Sequence, residues 1–294
     1  MAFSRNRRVQ NNDPHDVTDP AVIRELCRKF GIRPTKKFSQ NFCIDPQPLD
    51  AMIAAAGLRR GDRVLEVGPG FGVLTERLLA AGADVTACEI DERLVAALLS
   101  RFSSATLRVV HADFFRWYRE HADELAGKPF SIVANLPYAV SSHFFKSVLA
   151  HHPQPETIVV MLQKEVAERI SAKPGKMNML ALSVQYYGVP RVHAVVPRQS
   201  FWPAPDVDSA VASVTNIHPG GEDERELFRL ARMAFVNRRK QLHNSLASGL
   251  HCSDEEALSL CNRAGINPAT RPQDVGLEDW RRLARCAEEF ELTR

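Results

Sequence analysis

Residues 64–78 read VLEVGPGFGVLTERL. A short apolar run from Val64 to Val67 passes into three glycines spaced two apart, Gly68, Gly70 and Gly72. Apolar residues at helical spacing follow. The pattern is strand, tight loop, helix. Glycine at such a junction permits a sharp turn and a close backbone approach to a ligand. The glycine spacing alone is a weak signal, and the flanking strand and helix give it weight.

Outward from this loop the alternation continues. Strand patterns fall at 63–67, 84–90, 106–111, 130–135 and 157–162, with helical stretches such as 72–82 and 91–102 between them. Such alternation predicts an α/β fold, a parallel sheet with helices on both faces. Two later β-like segments, 191–197 and 208–217, predict a strand pair added at the sheet's edge. On the N-terminal side, 19–31 and 46–58 read as capped helices around a basic, irregular segment. Near HPGGEDE (218–224) the β-like runs stop. Four helical patterns follow, at 224–235, 239–249, 253–265 and 276–290. The chain therefore divides into a polar tail at 1–20, an α/β domain at 21–216 and a small all-α domain at 217–294.

Composition narrows the class. Among 294 residues, 45% are hydrophobic and 25% charged, the balance of a soluble globular protein. The net charge of +3 permits a polyanionic partner without requiring one. No apolar run approaches the roughly 20 residues of a membrane span. The first sixteen residues lack the apolar centre of a signal peptide, which argues for the cytoplasm. Cys27, Cys43, Cys88, Cys252, Cys261 and Cys286 form no CxxC pair and no zinc spacing, as expected of reduced thiols. No metal site is expected, and a monomer is the default.

The acids near the loop speak to the ligand. Glu66 ends the first strand two residues before Gly68, where a carboxylate would repel a pyrophosphate. A donor carrying an ammonium and a sulfonium suits it better, which points to S-adenosylmethionine rather than NAD. Glu89 lies about 20 residues on, where an acid can take ribose hydroxyls. Asp113 ends the third strand and can accept from an adenine amino group. Its competing reading is a helix N-cap, and that of Glu89 a solvated charge.

SIVANLPYAV (131–140) supplies a possible acceptor site. In a sheet of this kind ligands bind beyond the carboxyl ends of the strands, so Asn135 to Tyr138 face the same crevice as the glycine loop. An adenine amino group is a poor nucleophile because its lone pair is delocalised into the ring. The Asn135 side-chain oxygen and the Leu136 carbonyl, held by Pro137, can accept its two N–H bonds and favour a geometry that frees the lone pair. The Tyr138 ring can stack on the base. A plain strand-end turn with a core tyrosine is the alternative.

As a set, KKFSQNFCID (36–45), VLEVGPGFGVLT, ACEID, HADFF, IVANLPYAVSS, MLQKEVAERI, SFWPAPDVDSAV (200–211) and NRRKQLHNSL (237–246) are similar, in the same order, to the small-subunit rRNA adenine N6,N6-dimethyltransferases. The resemblance implies a Rossmann-like class I methyltransferase sheet with a small all-α C-terminal domain. It implies transfer of two methyls to each of two adjacent adenines near the 3′ end of small-subunit rRNA in an assembling ribosomal subunit. Carried onto this sequence, it implies donor contacts at Asn41, Cys43, Gly68, Glu89, Asp113 and Asn135, to which the reading of the glycine loop adds Glu66 and Gly70. The acceptor pocket would be Asn135, Leu136, Pro137 and Tyr138, with Phe201 covering the other face of the base; Phe201 reads also as plain core. Cys43 stands where the family usually has Leu or Ile, and residues 176–187 depart from the family's pattern.

Basic residues flank the crevice, with Arg33, Lys36 and Lys37 on one side and Arg238, Arg239 and Lys240 on C-terminal helices. They are expected to track RNA phosphates. Two other readings fit the same residues: an adenine methyltransferase of large-subunit rRNA, of the macrolide-resistance type, and a non-catalytic ribosome-assembly or transcription factor with the same fold.

Overall fold

The computed structural model describes residues 17–33 and 41–292. Lys36, Lys37 and residues 1–16 of the expected tail lie outside the described residues. The chain divides into two compact units.

The first unit comprises the described residues up to Ala167 together with Val189–Ile217. It holds β1 (Phe42–Cys43), β2 (Arg63–Val67), β3 (Asp84–Glu89), β4 (Leu107–His111), β5 (Ser131–Asn135), β6 (Thr157–Gln163), β7 (Val189–Val196), β8 (Phe201–Trp202) and β9 (Ser209–Thr215). Seven of these form one sheet in the order β4-β3-β2-β5-β6-β9-β7. The first five run parallel, while β9 pairs antiparallel with both β6 and β7. This is the expected α/β class with the expected added pair. The central strands are almost uniformly apolar because helices cover both faces; Ile158 to Leu162 of β6 are wholly buried.

The topology positions the site. From β2 the chain steps outward to β3 and β4, then crosses back to β5 on the other side of β2. The order reverses between β2 and β5, and a crevice opens there beyond the strand ends. The loops after Val67, Glu89, His111 and Asn135 all meet at that edge.

Local chemistry fixes these loops. Gly72 has φ +82° and precedes the helix Val73–Ala80. A Cβ there would stand 2.5 Å from Phe102 Cε2 and 2.8 Å from Leu98 Cδ2, so both conformation and space demand glycine. Asp91 caps the helix Glu92–Arg101 by accepting from the Arg93 N–H at 3.0 Å.

Two short strands have no counterpart in the sequence pattern. In β1 and β8, Phe42 pairs with Trp202 and Cys43 with Phe201. The Ile44 N–H extends this contact to the Ser200 carbonyl at 2.8 Å, and Ser200 Oγ donates to Asp45 at 2.8 Å. Segments some 160 residues apart are thereby stitched together, a long-range pairing that no local pattern announces.

Residues 17–20 are not tail. Val17 is 1% exposed and packs with Ile23, Leu26, Phe42, Phe71 and Leu94. Asp19 caps the helix Pro20–Lys29, accepting from the Ala21 N–H at 2.7 Å. The polar neighbours of Val17 mask the single apolar anchor.

The second unit is discontinuous, formed by Glu168–Gly188 and the chain from His218. The sequence pattern places 168–188 in the α/β domain, and side-chain chemistry accounts for the difference. Tyr186 Oη donates to Asp223 at 2.7 Å and Tyr187 Oη to Glu224 at 2.6 Å, and both rings pack on Phe228. Helices at Glu224–Val236, Leu242–Leu250, Asp254–Arg263 and Leu277–Leu292 complete the unit around the buried Trp280. Among the described residues no helix is long and apolar enough to cross a membrane.

Candidate active site

Residues singled out from sequence converge in the first unit, where twelve of them line one cavity of about 260 Å³. They are Asn41, Cys43, Glu66, Gly68, Gly70, Glu89, Asp113, Asn135, Leu136, Pro137, Tyr138 and Phe201. Arg33 is exposed and does not line it.

The glycine loop and the acceptor motif lie side by side in the cavity wall. Gly68 has φ +62°, and a Cβ on it would stand 3.8 Å from the Pro137 ring. Leu136 is fixed next to Pro137, its N–H donating to the Met161 carbonyl at 2.9 Å and its side chain buried. Asn135 Nδ2 donates to the Asn41 carbonyl at 3.5 Å, which leaves the side-chain oxygen to act as acceptor. After Pro137 the chain makes a tight 3-10 turn through Tyr138–Val140, with the Val140 N–H on the Pro137 carbonyl at 3.1 Å. Tyr138 is half-buried, and its hydroxyl lies 2.6 Å from Ser209 Oγ on β9, which sets the ring's direction. Phe201 is 3% exposed and belongs to the core cluster around Cys43 while also lining the cavity.

The electrostatics are one-sided. Glu66, Glu89, Asp91 and Asp113 line the cavity, and no Lys, Arg or His is among the described lining residues. Glu66 is 1% exposed and accepts from Thr75 Oγ1 at 2.6 Å. Burial pushes its carboxyl up to about 8; Thr75 pulls it down and nearby Glu89 raises it further. At neutral pH without ligand the group is therefore mostly protonated, and it would not repel a pyrophosphate through a standing charge as the sequence suggests. What disfavours a dinucleotide is that no basic side chain is among the described lining residues. The Gly70 N–H donates to Glu89 Oε2 at 3.2 Å, while the N–H groups of Ile90 and Asp91 donate to Oε1 at 2.8 and 3.0 Å. Burial raises the Glu89 carboxyl, and these N–H donors oppose the rise.

Asp113 does cap a helix: Oδ1 accepts from the Arg116 N–H at 2.9 Å. The second carboxylate oxygen is left for another donor, so capping and ligand contact are compatible. Burial pushes the Cys43 thiol up to about 11 and Cys88 up to about 12, so neither supplies a thiolate near neutral pH. Cys43 Sγ donates instead to the Asp45 carbonyl at 3.3 Å.

Sequence reasoning misses Val17, Ile23, Ile90, Asp91 and Phe115, which also line the cavity. Asp91 is readable as an N-cap beside Glu89; the others carry no local signal. In the second unit, Arg238, Arg239 and Lys240 are exposed. They lie on the turn between the helices Glu224–Val236 and Leu242–Leu250, not on a helix as expected, because the Lys240 N–H closes back on the Asn237 carbonyl at 2.9 Å.

A mostly parallel sheet with a glycine loop, strand-end acids and a rigid Asn-Leu-Pro-Tyr turn in one acidic cavity defines a Rossmann-like methyltransferase. Residues 32–289 match the family described as ribosomal RNA adenine dimethylase. The chain belongs to this family and is an rRNA adenine dimethyltransferase. It is similar to the ribosomal RNA small subunit methyltransferase A of Dehalococcoides mccartyi, 40% identical over 90% of this chain and 91% of the relative. To that of Pelotomaculum thermopropionicum it is 39% identical over 91% and 96%. Among solved structures, a dimethyladenosine transferase from Plasmodium falciparum superposes with a TM-score of 0.68 at 25% identity, covering 85% of this chain and 98% of that one. The 23S rRNA methyltransferase ErmE gives 0.67 at 27% identity, covering 84% and 100%.

Proposed function

We propose that the cavity binds S-adenosylmethionine and that the enzyme dimethylates two adjacent adenines near the 3′ end of small-subunit rRNA. The observation that carries this reading is the placement of Pro137 beside the glycine loop inside a cavity whose described lining has four acids and no base. Donor loop and acceptor motif share one wall, and the charge suits a cationic donor. The donor, when bound, supplies an electrophilic methyl on a sulfonium.

The residues then have separate tasks. Glu89 and Asp113 would hold the nucleoside end, with Glu89 Oε2 exchanging the Gly70 N–H for a ribose hydroxyl. Glu66 would face the cationic end through burial rather than exposure. The Asn135 oxygen and Leu136 carbonyl would accept from the adenine amine and turn its lone pair toward the methyl. Tyr138 would stack on the ring, with Phe201 as the wall behind it. Among the described lining residues there is no lysine, histidine or thiolate to take the amine proton, so the residues act by orientation and the proton leaves to solvent.

Identity of about 40% across nine-tenths of the chain to relatives named for the small subunit supports that substrate over the large-subunit one. The exposed Arg238-Arg239-Lys240 turn and Arg33 would contact rRNA phosphates, giving the C-terminal unit a docking role on an assembling subunit. Lys36 and Lys37 are proposed for the same role from sequence alone. The enzyme would act as a monomer in the cytoplasm, where such subunits are made.

The test is mass mapping of adenines after incubating the protein and labelled donor with undermethylated small and large subunits, with Asn135→Ala as control. Adjacent dimethyladenines in small-subunit rRNA are expected. Label confined to the large subunit would support the resistance-type alternative. No label on either would support a non-catalytic factor.

A further inference from the structure

The glycine loop is held from behind by a charge that is not among the cavity's lining residues. Arg101 ends the helix Glu92–Arg101, and its side chain is 1% exposed. Its Nη1 donates to the carbonyl of Phe71, the residue between Gly70 and Gly72. Nη2 lies 3.8 Å from the Glu76 carboxylate on the helix that follows the loop. The guanidinium also sits 5.0 Å from the Phe102 ring centre, and Phe102 is the ring that fills the space a Cβ on Gly72 would need.

Burying a guanidinium costs several kcal/mol before its partners offset it. A side chain needed only to fill volume would be apolar. The loop it grips has φ of +62°, +59° and +82° at Gly68, Gly70 and Gly72, so its backbone has many alternatives to the observed path. Two opposite charges restrict it. On the N–H side Glu89 accepts from Gly70 at 3.2 Å; on the carbonyl side Arg101 donates to Phe71. Glu89 ends β3 and Arg101 ends the helix that follows it, so two consecutive elements carry the grips.

We infer that Arg101 is a positioning residue, which sets the glycine loop for the methyl donor by holding the Phe71 carbonyl from behind the cavity. The inference rests on the reading of the cavity as the donor site. When Glu89 exchanges the Gly70 N–H for a ribose hydroxyl, Arg101 becomes the grip that keeps the loop in register.

The test compares wild type, Arg101→Met and Arg101→Lys. Calorimetric titration with S-adenosylmethionine should show about tenfold weaker binding for Arg101→Met, because lost preorganisation must be recovered from binding energy. The loss should sit in KM for the donor more than in kcat. Arg101→Lys, which keeps a donor for the Phe71 carbonyl, should recover to within about threefold of wild type. Stability is measured alongside, because Arg101→Met leaves the Phe71 carbonyl without its donor and should lower Tm. Donor affinity unchanged in a folded Arg101→Met variant overturns the inference. So does affinity that falls only in step with Tm, without recovery in Arg101→Lys. If Arg101→Met does not fold, hydrogen exchange of Arg101→Lys decides, with faster exchange at residues 70–73 alone expected and unchanged exchange there refuting the role. If wild type itself fails to bind S-adenosylmethionine, the donor reading falls, and the exchange measurement still judges the grip on the loop.

Discussion

Substituting Glu66 by Gln tests the charge logic of the cavity most directly. Without ligand the Glu66 carboxyl titrates near 8, against an ordinary 4.5, because it is buried. Between these values the folded protein holds a proton that the unfolded chain has lost. Stability from this group is therefore fully present below pH about 4.5 and is lost as pH rises to about 8, an upper bound of roughly 5 kcal/mol. A cationic donor reverses the preference, since a nearby positive charge favours the carboxylate. Donor binding should then expel the proton. At pH 7 only about one protein in ten carries the anion beforehand, and at pH 6 about one in a hundred, so affinity should climb by up to about tenfold per unit. The clean window is pH 6–7.5, below the titration of the donor's own amine near 8. Calorimetry with S-adenosylmethionine in two buffers of different ionisation enthalpy reads both affinity and proton release, and close to one proton per donor is expected at pH 7. Glu66→Gln copies the neutral acid and cannot ionise. Its affinity should be flat with pH, and the wild-type value should fall toward it as pH drops. A flat wild-type profile without proton release, or a Gln variant that keeps the slope, would refute the reasoning.

Tyr138→Ala should lose the stacking worth about 1–3 kcal/mol, whereas Tyr138→Phe should lose only the Ser209 hydrogen bond, about 1 kcal/mol; single-turnover methylation that finds both equally inactive would make the hydroxyl essential. Gly72→Ala should destabilise by about 1–2 kcal/mol for the left-handed backbone alone, with more from the clash with Phe102, and an unchanged urea midpoint would contradict that packing. Replacing Arg238, Arg239 and Lys240 by Ala should lower the salt slope of small-subunit binding by about one for each phosphate that is no longer neutralised, and an unchanged slope would show that the turn does not meet RNA.

Much of the first unit is legible because its signals are local. The strand 63–67 has the same bounds in sequence and structure, and β3 through β6 and β9 fall within two residues of their expected ends. Continuous apolar runs between glycine and cap residues leave few alternatives. The pairing of β1 with β8 is not legible, since two-residue strands carry no period and their register is decided by tertiary contact. Val17 is invisible for a related reason: one apolar residue in a polar stretch shows no pattern until its groove exists. The protonation of Glu66 is likewise a property of burial, which a sequence position near a strand end does not reveal. Arg101 reads as an ordinary basic residue in the last turn of a helix, and only its burial against the Phe71 carbonyl distinguishes it.

The discontinuity of the second unit bears on how this protein can be taken apart. The chain passes between units at 167/168, 188/189 and 217/218, so no single cut separates them. A fragment ending at 217 would keep Tyr186 and Tyr187 but lose Asp223, Glu224 and Phe228, their hydroxyl and ring partners. It would expose two aromatic rings and be prone to aggregate, whatever the integrity of the sheet. Grafting 218–294 onto another methyltransferase would fail for the reciprocal reason. A transplantable helical module has to bring 168–188 with it as an internal insertion, so terminal fusion of 218–294 alone would deliver the unit with part of its core missing.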